Sequence, residues 1–123
     1  MATVTGPDFI ALQVRDLERS ARFYSEVLGL AKAPQSPPDA VVFLTSPISF
    51  AVRKPYNTLE DVPLGHGFVL WLQCDNLNEF QSRLTQANAV TVDGPTQGPF
   101  GKTLRFMDPD GYIVTLHEKK QGA

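Results

Sequence analysis

The sequence predicts an α+β fold of two βαβββ modules in tandem. Three observations carry this expectation: an internal repeat at a shift of 60 residues, matched helix caps in the two copies, and a strand pair after each helix. Ile10-Ala11-Leu12-Gln13-Val14, followed by Leu17, coincides with Leu70-Trp71-Leu72-Gln73-Cys74, followed by Leu77. Leu12/Leu72, Gln13/Gln73 and Leu17/Leu77 are identities. Both copies pass from period-2 alternation into a helical pattern, so the match is one of structure as well as letters.

In the first copy Asp16 is placed to accept from the free N–H groups of a helix over 17–28, and Gly29 supplies the left-handed stop. In the second copy Asn76 is the cap, with Glu79 at capping-box spacing and Leu77, Phe80, Leu84 and Ala87 on one face. Asn88 is the terminator. Strands return over 41–44 and 48–53, then over 103–107 and 112–118. Thr45-Ser46-Pro47 separates the first pair. Asp108-Pro109-Asp110-Gly111 separates the second: proline presets a type I turn, Asp108 bonds back to the backbone, and Gly111 tolerates positive φ. The first module spans about 8–54, an aperiodic linker with prolines and glycines about 55–66, and the second module about 67–118, all within a single domain over 1–123.

A chain of 123 residues buries about two-thirds of its unfolded surface, and 42% apolar with 20% charged residues marks a globular protein. The net charge of -2, with no basic cluster beyond Lys119-Lys120, provides no phosphate-tracking surface and argues against nucleic acid. No apolar run approaches ~18 residues, and 1–7 lack the pattern of an export signal, so the expectation is a cytoplasmic protein with no membrane partner. Cys74 is the only cysteine, which rules out an intramolecular disulfide and reads as a buried, inert thiol.

Strand alternation divides the opening strands into two faces. Ile10, Leu12 and Val14, with their repeat partners Leu70, Leu72 and Cys74, form the apolar face on which the helices pack. Phe9, Ala11 and Gln13, with Val69, Trp71 and Gln73, occupy the opposite face, and no third helix exists to cover it. A Trp or Phe side chain buries about 150–250 Å² at about 25 cal/mol per Å², so leaving both in water forgoes several kcal/mol. A curled sheet, a bound ligand or a second subunit would supply the cover.

The segment Gln13-Val14-Arg15-Asp16-Leu17-Glu18-Arg19-Ser20, the pairs Phe23-Tyr24 and Leu28-Gly29-Leu30, and the later Pro99-Phe100-Gly101 and Asp108-Pro109-Asp110-Gly111-Tyr112 together resemble the vicinal-oxygen-chelate superfamily. That superfamily includes glyoxalase I, extradiol dioxygenases, fosfomycin-resistance enzymes and bleomycin-resistance proteins. The resemblance implies paired βαβββ modules whose mixed sheet curls around a cavity with the helices outside, and a homodimer. In metal-using members four side chains, usually His and Glu, come from the first and last strands of each module. By motif these positions fall on Phe9, Ala51, Val69 and Thr115, none of which is a metal ligand of that kind. Only two histidines are available, His66 in the linker and His117 on the face of Thr115, against the three or so ligands a catalytic metal needs. The expectation is therefore no metal and no cofactor.

The candidate ligand-binding residues are Phe9 and Trp71 for stacking, Gln13 and Gln73 as paired donors and acceptors, and Thr115 and His117 on the same face. Arg53 and Arg105 suit an anionic or carbonyl-rich group, and Phe100 lies in a loop that fosfomycin-resistance enzymes use near their ligand. No nucleophile–base pair or phosphate-cradling loop is visible, so no catalytic residue is assigned. The resemblance favours a small-molecule-binding protein of the bleomycin-resistance type, with a glyoxalase- or dioxygenase-like enzyme, a metal-free lyase or isomerase, and a regulatory module as the alternatives.

Overall fold

The computed structural model describes residues 2–61 and 63–119; Lys120 of the basic pair lies outside them. The chain divides into two compact units, 1–60 and 61–123, each with its own open sheet.

The first unit contains β1 (Phe9–Gln13), α1 (Leu17–Arg22), β2 (Ala40–Phe43) and β3 (Ser49–Arg53). Its strand order is β1-β3-β2, with β1 parallel and β2 antiparallel to β3. Asp16 caps α1, its side chain accepting from the Arg19 N–H at 3.0 Å, and Gly29 takes a φ of 76° beyond the helix. The expected single helix changes winding at Phe23: Phe23–Val27 is π-helical, and the Leu28 N–H donates to the Phe23 carbonyl. The change falls where two adjacent rings enter the core. Phe23 meets Tyr24 edge-on, and Tyr24 in turn meets Phe50 at 5.1 Å.

The strands expected over 41–44 and 48–53 form as β2 and β3, while the third strand that a βαβββ module calls for between the helix and β2 is only a single bridge between Lys32 and Phe43, supported by the Ala33 N–H to the Val42 carbonyl at 2.8 Å. Pro34, Pro37 and Pro38 follow at once and have no N–H to extend a ladder.

The second unit is a complete βαβββ module: β4 (Leu70–Cys74), α2 (Leu77–Gln86), β5 (Thr91–Gly98), β6 (Gly101–Met107) and β7 (Ile113–Lys119), in the order β4-β7-β6-β5. Asn76 caps α2 and Asn88 closes it at φ 58°. The capping box does not close as its spacing suggests. Glu79 pairs forward with Arg83 at 3.0 Å rather than back to the Asn76 N–H, and the Leu77 N–H donates to Glu118 Oε2 on β7 at 2.8 Å. Asp108 orders the last turn, its Oδ1 accepting from the N–H groups of Asp110 and Tyr112 at 2.9 and 3.0 Å.

Each helix packs on one face of its own sheet. Leu12, Val14, Tyr24, Phe43, Phe50 and Val52 are buried on that face in the first unit, and Leu77, Leu84, Leu104, Phe106, Val114 and Leu116 in the second. Cys74 is half-buried rather than fully buried, and its thiol is pushed up to about 11, first by desolvation and then by the neighbouring Glu118 carboxylate.

Candidate functional site

The register of the second unit lines up four side chains in a row across all four strands. Trp71 on β4 pairs with Thr115 on β7, Thr115 with Arg105 on β6, and Arg105 with Asp93 on β5. The adjacent row runs from Gln73 to His117 to Thr103 to Thr96. Because side chains alternate along each strand, both rows lie on the face opposite α2. Thr115 is 3% exposed and forms the floor, whereas Trp71 is 48% exposed and rises beside it. Of the residues anticipated from the sequence, Trp71, Gln73, Arg105, Thr115 and His117 therefore share one sheet face.

His117 sits between an aromatic ring and the β5–β6 turn. Its ring centroid is 5.2 Å from that of Trp71 in an edge-on arrangement, and its Nε2 lies 2.7 Å from the Phe100 carbonyl. A carbonyl only accepts, so Nε2 carries the proton and donates, and in the neutral ring Nδ1 remains an acceptor. Phe100 thus reaches the site through its backbone, which fixes His117, while its ring is 70% exposed.

Arg105 is held by a carboxylate. Its Nε donates to both oxygens of Asp93 at 3.1 Å, and its Nη2 donates to Asp93 Oδ2 as well. Hydrogen bonding from Arg105 holds the Asp93 carboxyl below its usual range, and the same pairing raises Arg105. The sequence did not single out Asp93, because it sits in Thr91-Val92-Asp93-Gly94-Pro95, a stretch whose Gly and Pro read as loop. In the structure this stretch is an edge strand with two register shifts, where such residues are tolerated.

In the first unit Phe9, Ala11 and Gln13 occupy the face opposite α1, in register with Ser49, Ala51 and Arg53. The pair Gln13–Arg53 corresponds to Gln73–His117 in the second module. Gln13 and Arg53 both engage the chain leaving β3: Gln13 Oε1 accepts from the Tyr56 N–H at 2.9 Å, and the Arg53 guanidinium stacks 3.8 Å over the Tyr56 ring. Tyr56 has no counterpart in the sequence reading, since its place in an aperiodic linker gave no signal. An open groove of about 720 Å³ lies beside α1, lined by Arg15, Glu18, Arg22, Glu26 and Lys32 among others. It offers mixed charge and no aromatic surface.

The positions that resemble the metal-binding ones of related proteins carry Phe9, Ala51, Val69 and Thr115. Three of these have no donor atom, and the fourth offers one neutral hydroxyl. The set does not fit a catalytic metal, which calls for imidazole and carboxylate donors. Among the described residues no group of three or more His, Cys, Asp or Glu is arranged to hold a metal ion, and no helix is long and apolar enough to cross a membrane.

None of the curated proteins compared matches the chain. Among solved structures it is similar to a glyoxylase/bleomycin resistance protein/dioxygenase domain from Frankia sp. EAN1pec (TM-score 0.77, 23% identity, 98% of this chain and 96% of that one). It is also similar to TnmS3, an antibiotic binding protein from Streptomyces sp. CB03234 (TM-score 0.75, 22% identity, 98% and 100%), and to a lactoylglutathione lyase from Agrobacterium tumefaciens (TM-score 0.68, 21% identity, 95% and 96%). At these identities the likeness is one of fold. The family model for the Glyoxalase/Bleomycin resistance protein/Dioxygenase superfamily matches residues 6–116, and the chain belongs to that superfamily.

Proposed function

We propose that the protein is a cytoplasmic small-molecule-binding protein of the bleomycin-resistance type, which sequesters an organic ligand without a metal. The observation that carries this reading is the half-exposed Trp71 beside His117 above the buried Thr115, a flat apolar surface with hydrogen-bonding groups at its edge. Gln73 and Thr103 in the neighbouring row add polar groups that would orient a bound molecule. The donor-poor residues at 9, 51, 69 and 115 favour binding without a metal. The similar fold of an antibiotic binding protein supports the same function class.

The proposed ligand-binding residues lie on the open face of each unit taken by itself: Phe9, Gln13 and Arg53 in the first, and Trp71, Gln73, Phe100, Arg105, Thr115 and His117 in the second. The proposal includes a homodimer in which a second copy helps cover the open faces, since Phe9 and Trp71 are each 48% exposed in one chain. Light scattering during size exclusion tests it: a species of about twice 13.5 kDa is expected, and a persistent single-chain mass contradicts it.

A thermal-shift and native mass-spectrometry screen of aromatic metabolites and antibiotics tests the binding function. A stabilising compound should bind, change Trp71 emission and be recovered unaltered. A reaction product in place of the intact compound would favour the enzymatic alternative. That alternative draws on His117, whose Nδ1 is an available acceptor beside Trp71.

A further inference from the structure

We infer that Asp93 sets the charge selectivity of the open face of the second unit: by occupying Arg105 it gives the face a preference for uncharged planar aromatic molecules over their anionic counterparts. The inference rests on the binding reading above and adds the chemical class of ligand.

Arg105 lies in the same row as Trp71, two strands away, with only the buried floor residue Thr115 between them. At ~4.8 Å per strand its Cα is about 10 Å from that of Trp71, within the span of a two- or three-ring aromatic stacked on the indole. An unoccupied guanidinium there would attract a carboxylate, sulfonate or phosphate on such a ligand. Instead its Nε and Nη2 are turned to the end of the row, where they engage both oxygens of Asp93. The pair is neutral as a whole, and an incoming anion would have to displace a carboxylate already bound in bidentate fashion.

The rest of the two rows is uncharged in side-chain type apart from the titratable His117: Trp71, Thr115, Gln73, Thr103 and Thr96. Lys119 has matching parity on β7 but stands four residues beyond Thr115, about 13 Å at ~3.3 Å per residue, past the Trp71–Arg105 row. The pattern thus provides stacking surface and neutral hydrogen-bonding groups while its nearest fixed cation is internally compensated.

The test uses two probes with one ring skeleton. N-phenyl-1-naphthylamine is uncharged, and 1-anilinonaphthalene-8-sulfonate adds a sulfonate. Both are titrated into the full chain at low salt, with dye fluorescence and Trp71 quenching as readouts. The native protein should bind the uncharged dye more tightly. Asp93→Asn should tighten the sulfonate dye about fivefold, the scale of one exposed ion pair, and leave the uncharged dye unchanged. The gain should shrink at high salt and vanish in the Asp93→Asn/Arg105→Gln double variant. Asp93→Ser serves as a second variant if Asp93→Asn lowers the melting temperature.

A native protein that binds the sulfonate dye at least as well as the uncharged one overturns the inference. So does a folded Asp93 variant with unaltered sulfonate affinity. If neither dye quenches Trp71, the binding reading itself fails and the inference goes with it, an outcome distinct from loss of selectivity alone.

Discussion

Gly94→Ala is the substitution that most directly couples the architecture to the site. Gly94 lies on β5 with a φ of 98°, in the irregular stretch between the pairs Asp93–Arg105 and Thr96–Thr103. A Cβ there would stand 2.6 Å from the Thr103 carbonyl oxygen and 2.9 Å from the Leu104 Cα, both backbone atoms of β6. Neither can swing aside as a flexible side chain would, so one strand has to shift. The left-handed backbone alone costs about 1 kcal/mol or more for a residue with a Cβ, and forced movement of a packed strand brings the total to about 3 kcal/mol. For a chain of this size that lowers the melting temperature by roughly 10 °C.

Gly67→Ala is the control, because Gly67 has a similar φ of 95° with nothing within 4 Å of its Cβ position, so it carries the conformational cost without the collision. Thermal unfolding followed by circular dichroism should place Gly94→Ala well below Gly67→Ala. Equal melting temperatures for the two variants would refute the close approach of β5 and β6, and with it the placement of Asp93 against Arg105.

Three further outcomes follow from individual contacts. Asp108→Ala removes the acceptor of the Asp110 and Tyr112 N–H groups in a turn where Asp108 is only 5% exposed, and should cost about 2–3 kcal/mol in denaturant titration. Cys74 should alkylate slowly at pH 8 and accelerate only as pH approaches about 11. Since its thiol is raised from 9.0, the associated stabilisation is fully present below pH 9 and is lost as pH rises toward about 11, which pH-dependent unfolding would register. Trp71→Ala should abolish the emission response and weaken a stacked ligand by tenfold or more while leaving the melting temperature within a few degrees, because about half of the ring is already in water.

Much of the architecture was legible because local signals and tertiary demands agree. Asp16, Asn76, Gly29 and Asn88 bound the helices where their chemistry requires, and the alternation around Leu12 and Leu72 correctly separates the helix-packed face from the open one. The departures have identifiable causes. Three prolines after Ala33 reduce a strand to a bridge, whereas β5 forms despite Gly94-Pro95 because an edge strand with register shifts accommodates both.

At the site, parity brought Trp71, Gln73, Thr115 and His117 to one face, but parity does not reveal what a side chain bonds to. Arg105 is engaged by Asp93, and Gln13 and Arg53 by the Tyr56 segment. These partners come from stretches with no periodicity, where sequence patterns carry no register.

Ligand binding through Trp71 without a metal is tested most directly by titrating an aromatic ligand into protein stripped with a chelator and verified metal-free by elemental analysis. The predicted result is saturable quenching of Trp71 with an affinity unchanged by added zinc, iron, manganese or nickel, and the ligand recovered chemically intact. Binding that appears only when one of these metals is restored at near one equivalent per chain would contradict it.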